Sequence, residues 1–225
     1  ERVAGLLHTI NDNVADRAKI ENGQSILLFG KDIIQEELLG LKFQMRMESF
    51  FQTNPKCAER LYNKALDYVF EQDIREDKVV MDLFCGTGTI AQLMAKRNSR
   101  VSIIGVDIVP EAIEDAKNNA ISNGILNTQF FAADVGKFLK FNPKYQGKID
   151  TLVLDPPRAG IAPKTLLKVI DLGATNIVYI SCNPSTQARD ASTLLEAGYV
   201  LEKYSLVDQF PHTGHIESIA KFSKK

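Results

Sequence analysis

The 225-residue chain has no tryptophan, only three histidines, and three cysteines that do not pair off. Cys57, Cys85 and Cys182 are odd in number and irregularly spaced, with no CxxC pair and no Cys/His cluster. That argues against a disulfide scaffold or a structural zinc site and for a reducing compartment, so the cytoplasm is the expected location. No apolar run approaches the roughly 20 residues of a membrane span and no signal peptide opens the chain, so no membrane partner is expected. The formal net charge of −1 gives nucleic-acid binding no support from charge as a whole. Repeats and low-complexity segments are also missing. The chain can bury one full core with a small appended piece, and its first residue, Glu1, suggests a portion of a longer polypeptide.

Residues 1–48 differ in texture from the remainder of the chain. Runs at 25–29 and 32–35, set off by Asn22-Gly23 and Gly30-Lys31, read as short strands joined by turns. They form a small β-rich lead-in, 1–48, to a main domain at 49–225. Asn54 is a natural N-cap and Pro55 a natural first helical residue. Leu61, Ala65, Leu66, Val69 and Phe70 then recur at helical spacing. From Lys78 onward, apolar strands at 78–84, 101–107, 127–133, 149–155, 176–181, 198–207 and 215–222 alternate with helices near 88–97, 110–122, 135–140, 163–172 and 185–197. Such alternation predicts an α/β, doubly wound, mostly parallel sheet of seven strands with right-handed crossovers. Residues 209–214 are too few for a crossover, so the last strand is expected to run antiparallel.

The first strand of this pattern runs into Asp82-Leu83-Phe84-Cys85-Gly86-Thr87-Gly88-Thr89-Ile90-Ala91. Glycines let the backbone turn tightly and approach a ligand at a helix N-terminus. Gly86-x-Gly88-x-x-Ala91 fits a dinucleotide fingerprint, and Asp107, 21 positions beyond Gly86, is the acid that accepts ribose hydroxyls. NAD and S-adenosylmethionine both remain allowed. Asp82, expected to welcome a cationic amino-acid tail, and Asp134, placed for an adenine amino group, favour the methyl donor. The fourth strand ends in Asp155-Pro156-Pro157-Arg158, where two prolines hold the carboxylate in a rigid turn. Arg158 stands where base-amino methyltransferases carry a stacking aromatic residue, so another nucleophile is needed. Cys182, in Ser181-Cys182-Asn183-Pro184 at the end of the next strand, is the candidate. Taken alone, a strand-end cysteine is more often a small buried hydrophobe, and a free thiol is only a few per cent ionised near neutral pH.

Together with Ser49-Phe50-Phe51-Gln52-x-Asn54 and Phe210-Pro211-His212-Thr213-Gly214-His215-Ile216-Glu217, these motifs resemble the RNA uracil-C5 methyltransferases, in order and over nearly the whole chain. The resemblance implies a Rossmann-like fold and methyl transfer from S-adenosylmethionine to C5 of a uridine in RNA. It implies that Gln52, Phe84, Thr89, Asp107, Asp134 and Asp155 line the cofactor site, with Cys182 as nucleophile and Glu217 as base. Without it, Glu217 reads as a surface residue on a half-exposed strand. Phe50, Phe51, Arg158 and His212 are the substrate-side candidates. The two phenylalanines or His212 would stack on a flipped base, with core packing the competing reading for the phenylalanines. Asp155 is open between orienting the cofactor and bonding the pyrimidine. The Phe210-Pro211-His212 run favours 23S rRNA over tRNA as the RNA partner. The family's N-terminal RNA-binding β-barrel and iron–sulfur cysteine quartet are missing, so the catalytic portion alone, monomeric and without metal, is expected. A cytosine-C5 methyltransferase is the nearest chemical alternative. A nicotinamide-dependent oxidoreductase and a non-catalytic RNA-binding module are the alternatives of other classes.

Overall fold

A computed structural model describes residues 3–10, 24–46 and 49–225. The N-terminal part forms two antiparallel hairpins, β1 (Gly5–Ile10) with β2 (Gln24–Gly30), and β3 (Ile33–Leu38) with β4 (Leu41–Arg46). The expected strands at 25–29 and 32–35 fall in β2 and β3, whereas the Asn22-Gly23 turn lies outside the described residues. The β3–β4 turn places Leu39 and Gly40 at positive φ, 49° and 71°, as a two-residue hairpin loop requires. Glu59 accepts from Leu39 N at 2.9 Å, and Lys96 Nζ donates to the carbonyls of Leu39 and Gly40.

The rest of the chain alternates strands and helices: α1 (Pro55–Val69), β5 (Val79–Leu83), α2 (Thr89–Arg97), β6 (Ser102–Asp107), α3 (Pro110–Ser122), β7 (Thr128–Ala132), α4 (Val135–Phe141), β8 (Ile149–Leu154), α5 (Pro163–Asp171), β9 (Asn176–Ser181), α6 (Pro184–Glu196), β10 (Tyr199–Val207) and β11 (Glu217–Lys224). Asn54 caps α1 by accepting from Cys57 N, and Asn183 caps α6 by accepting from Ser185 N; each cap precedes a proline in the first turn. The seven strands lie in the order β10-β11-β9-β8-β5-β6-β7, all parallel except β11, which runs antiparallel to both neighbours. The last strand begins at Glu217 rather than 215, because residues 210–215 are spent on a turn in which Thr213 N and Oγ1 both donate to Phe210 O.

The central strands are apolar on both faces, as a sheet covered by helices requires. Successive residues split by side: Val80, Ile103, Val153, Val178 and Ile219 join α1, α2 and α3 in one cluster. Met81, Ile104, Leu152, Ile177 and Ala220 join α4, α5 and α6 in the other. Each fully buried Val, Leu or Ile contributes about 1.5–3 kcal/mol relative to exposure.

The β3–β4 hairpin adds Leu38, Leu41 and Phe43 to the first cluster. Its outer edge is held by side chains of α3. Asn123 Oδ1 accepts from Lys42 N and its Nδ2 donates to Lys42 O, both at 2.9 Å. Asn119 does the same for Gln44, at 2.9 and 3.2 Å, and Asp115 meets Arg46 at 3.4 Å. Four helical residues advance about 6 Å and two strand residues about 6.6–6.8 Å, so positions 115, 119 and 123 match 46, 44 and 42 in step. This rack sets the exit of β4, from which the chain enters the Ser49–Asn54 stretch.

Candidate active site

In an open α/β sheet the ligand site lies beyond the C-terminal strand ends, where the connections diverge. Here that point falls between β5 and β8, and a cavity of about 1340 Å³ opens there. Its first wall is the loop from β5 to α2. Phe84 sits at φ 67°, uncommon for a residue with a side chain. The conformation is held because the amides of Phe84 and Cys85 both donate to Val106 O, at 2.9 and 3.2 Å. Gly86 and Gly88 follow at φ 51° and 75°. A Cβ at Gly86 would meet nothing within 4 Å, so that backbone faces open cavity. A Cβ at Gly88 would come within 2.7 Å of the Phe130 ring, which packs the loop down onto β7.

Asp107 ends β6 at the cavity wall, its Oδ2 accepting from Gly86 N and its Oδ1 from Val109 N, both at 2.9 Å. Each oxygen keeps a lone pair for a ribose hydroxyl. Asp134 stands at the end of β7, and Thr89 opens α2; both line the cavity, as do Phe84, Gln52 and Asp155. Carboxylates of Asp107, Glu111, Asp115, Asp134, Asp155 and Glu217 outnumber the cations of Arg46 and Arg158 around this space. Such a lining suits a positively charged ligand and repels a pyrophosphate. The glycine cradle and strand-end acids thus fit an adenosyl group carrying a cation.

Asp82 departs from its expected part. It is wholly buried, does not line the cavity, and accepts from Ala91 N at 2.9 Å through Oδ2. The strand's alternation turns it under α2, where it anchors the helix start rather than a ligand. Burial, and then the Asp155 charge, push its carboxyl well above the usual range.

The opposite end of the cavity is made by β8, β9 and β11. Ser181 of β9 is the register partner of Ser218 of β11. One further step along this antiparallel pair sets Cys182 opposite Glu217. The turn after β9 is held by Asn183 N donating to Ser181 Oγ at 3.1 Å, and by Asn183 Nδ2 donating to Arg158 O at 3.2 Å. The Asp155–Arg158 loop and the Ser181–Pro184 turn are thereby one unit. Glu217 is 3% exposed, which overturns the surface reading of this residue. Burial, the larger cause, and then the Glu217 charge raise Asp155 to about 7. Glu217 is itself raised by burial, against the pull of Arg158. The Cys182 thiol is raised by burial and by Glu217 and Asp155, and lowered by Arg158. Arg158 Nη2 donates to His215 Nδ1 at 3.1 Å, which holds the guanidinium near the thiol.

Phe50 lines the cavity and is 76% exposed, while Phe51 packs its ring 5.9 Å from Phe43 at the cavity edge. Arg158 lines the cavity. His212 does not: it is exposed, at φ 70° in the turn before β11. Two further residues belong to the site. Gln209, fully buried, donates from Nε2 to Gln52 Oε1 at 3.3 Å and to Asn54 O at 3.1 Å, and accepts from Asn54 Nδ2 at 3.2 Å. It clasps the two functional loops together. Tyr62 of α1 lines the cavity, hydrogen-bonds Gln52, and has its phenol pKa raised by burial and by Asp155. Gln209 stands directly before the Phe210-Pro211 motif, a positional hint. Tyr62 reads in sequence like any inward tyrosine of α1. Among the described residues no group of three His, Cys, Asp or Glu side chains is arranged to hold a metal.

An acid-lined adenosyl site at one end and a thiol facing a carboxylate at the other place the chain among the α/β methyltransferases. The family model described as tRNA (Uracil-5-)-methyltransferase matches residues 9–225. The chain belongs to this family. An uncharacterized RNA methyltransferase of Clostridium acetobutylicum is 43% identical over 221 residues, 98% of this chain and 46% of that protein. One of Staphylococcus aureus is 41% identical over 224 residues, 99% of this chain and 48% of that protein. The Pyrococcus abyssi tRNA (uracil-54, C5)-methyltransferase, solved in complex with S-adenosyl-L-homocysteine, superposes with a TM-score of 0.76 at 31% identity, covering 97% of this chain and 50% of that one. The chain thus spans about half the length of the curated relatives it matches.

Proposed function

We propose that this chain transfers a methyl group from S-adenosylmethionine to C5 of a uridine in RNA, through a covalent bond between Cys182 Sγ and C6 of the base. The observation that carries the reading is the β9–β11 register, which sets a thiol and a buried carboxylate face to face at the end of an adenosyl-type cavity. Asp107, Asp134, Thr89, Phe84 and Gln52 would hold the cofactor, which supplies an electrophilic methyl group. C5 of uracil is too weak a nucleophile to take that group unaided. The Cys182 thiol rests protonated, so its proton must pass to a neighbour, and Asp155, titrating near 7, is the acceptor. The thiolate then bonds to C6, the C5–C6 double bond opens, and C5 gains carbanion character. Once C5 has taken the methyl group, Glu217 removes the C5 proton as general base. The electron pair left behind restores the double bond and expels the Cys182 thiolate. One proton returns to sulfur and one leaves to solvent, so the site is regenerated. Arg158 stabilises the transient thiolate. Phe50, exposed at the cavity edge, offers a face on which the extruded base stacks.

The RNA itself has two supports. The Phe210-Pro211-His212 run favours 23S rRNA, and the Pyrococcus abyssi relative favours tRNA. Incubating Cys182→Ala and Glu217→Gln with each RNA and labelled methyl donor tests both levels. Cys182→Ala should bind cofactor yet transfer nothing, and near-normal turnover would sink the nucleophile assignment. Glu217→Gln should trap a protein–RNA adduct stable in denaturing gels, and binding without an adduct would remove Glu217 as the base. The RNA that accepts label at a single uridine in the parent reaction is the substrate.

A further inference from the structure

We infer that the face built by α4 and α5 is a docking surface for the phosphodiester backbone of the RNA whose base enters the cavity; this rests on the proposed methyl transfer to RNA. Residues 135–171 hold six lysines and Arg158 against Asp150, Asp155 and, at the far end of α5, Asp171. Asp155 is spent in the cavity, and Asp150 accepts from Thr151 Oγ1. Lys137, Lys144, Lys148, Lys164 and Lys168 are all exposed. Among the described residues none of the five lies within 4.0 Å of a carboxylate, so no close acidic partner neutralises their charge. The overall charge of −1 therefore conceals a local segregation of sign, with acids gathered inside the cavity and Lys137, Lys164 and Lys168 on the two helices beside it.

The basic face joins the cavity rim at two points. Val135 and Thr165 line the cavity. Lys137 follows Val135 by two residues at the start of α4, and Lys164 directly precedes Thr165 at the start of α5. Lys168 reaches back over Gly136, where an added Cβ would meet its Cδ at 2.3 Å and its Nζ at 2.7 Å, so its ammonium lies beside the first turn of α4. Phe141, 72% exposed, ends the helix whose first turn holds Lys137, and cations with an exposed aromatic are the combination used to track a nucleic-acid backbone and stack an unpaired base. Phosphates are repelled by the carboxylates inside and held by the lysines outside, so the base alone enters.

The test compares the parent chain, Lys137→Ala/Lys164→Ala/Lys168→Ala, and a control Lys56→Ala/Arg60→Ala on α1, by RNA binding over a range of salt. The rim triple variant should bind RNA at least about tenfold more weakly. Its plot of log Kd against log salt should flatten by about two to three, since each neutralised phosphate contributes roughly 0.7–0.9. Its thermal midpoint and S-adenosylhomocysteine affinity should match the parent, and the control should bind RNA as the parent does. Affinity and slope unchanged in the rim variant overturn the surface, as does a parent chain that fails to bind RNA at low salt. If RNA affinity is unchanged while binding to phosphatidylglycerol vesicles is lost, the face belongs to an anionic membrane and the inference fails. Loss of RNA affinity in the rim variant, with no methyl transfer by the parent to any RNA, keeps the surface and removes the catalytic reading. Intact methylation with unchanged affinity does the reverse.

Discussion

Asp155, Cys182 and Glu217 share one poorly hydrated corner at the ends of β8, β9 and β11, and burial raises the pKa of all three. For Asp155 the consequence can be measured. Its carboxyl titrates at about 7 in the folded chain, against roughly 3.9 for an unfolded aspartate. Between those values the folded chain holds a proton that the unfolded chain has lost. Stability from this group is therefore greatest at low pH and declines as pH rises to 7, by at most about 1.4 kcal/mol per pH unit. Asp155→Asn should remove that decline, so the variant gains on the parent between about pH 4 and pH 7. Urea midpoints across that range check it, and parallel profiles would count against the buried carboxyl. At this scale legibility was uneven. Cys182 and Asp155 stood out because strand ends are where open sheets place their chemistry. Glu217 was visible only through family resemblance, since nothing local separates a buried glutamate at a strand start from an exposed one. Gln209 acts through partners more than 150 residues away and carried almost no local signal, and Tyr62 is indistinguishable in sequence from the other inward residues of α1.

Among the elements, helix starts were the most legible feature because their chemistry is local. Pro110 and Pro163 open α3 and α5 as expected, and α6 begins at Pro184, one residue earlier than predicted, directly after its Asn183 cap. The rack between α3 and β4 was not legible, because Asn119 and Asn123 meet partners 75 and 81 residues away. Asn119 is nearly buried, so Asn119→Ala leaves both polar groups of Gln44 without their partner and should cost about 1–3 kcal/mol. Asn123→Ala should cost a similar amount: its Lys42 bonds are exposed, but its Nδ2 also donates to Oε1 of the fully buried Gln92 at 3.0 Å, and the double variant should depart from additivity because both residues hold one strand. Urea denaturation measures the loss. Amide exchange should quicken at Lys42 and Gln44 while β8 and β9 stay protected, and unchanged exchange there would rule the rack out.

For the molecule as a whole, the cavity predicts selective stabilisation. S-Adenosylhomocysteine at about a hundred times its Kd should raise the unfolding free energy by about 2.7 kcal/mol. Asp107→Ala should lose most of that gain and Cys182→Ala should keep it, because only the first touches the adenosyl end. NAD should give no shift, since its pyrophosphate meets carboxylates. Thermal denaturation with each ligand decides, and stabilisation by NAD would return the glycine loop to the dinucleotide class.

By itself, the sequence determined the alternation of strands and helices, the glycine loop and the strand-end acids and thiol. Each depends on spacing within one element or on backbone chemistry at its ends. Tertiary structure alone decided that β11 enters between β9 and β10, so that Glu217 faces Cys182, that Asp82 turns under α2, and that Gln209 ties Gln52 to the last loop. It also separated carboxylates from lysines in a chain of nearly zero net charge. Those outcomes depend on register and packing between residues distant in sequence, and composition and periodicity carry no record of either.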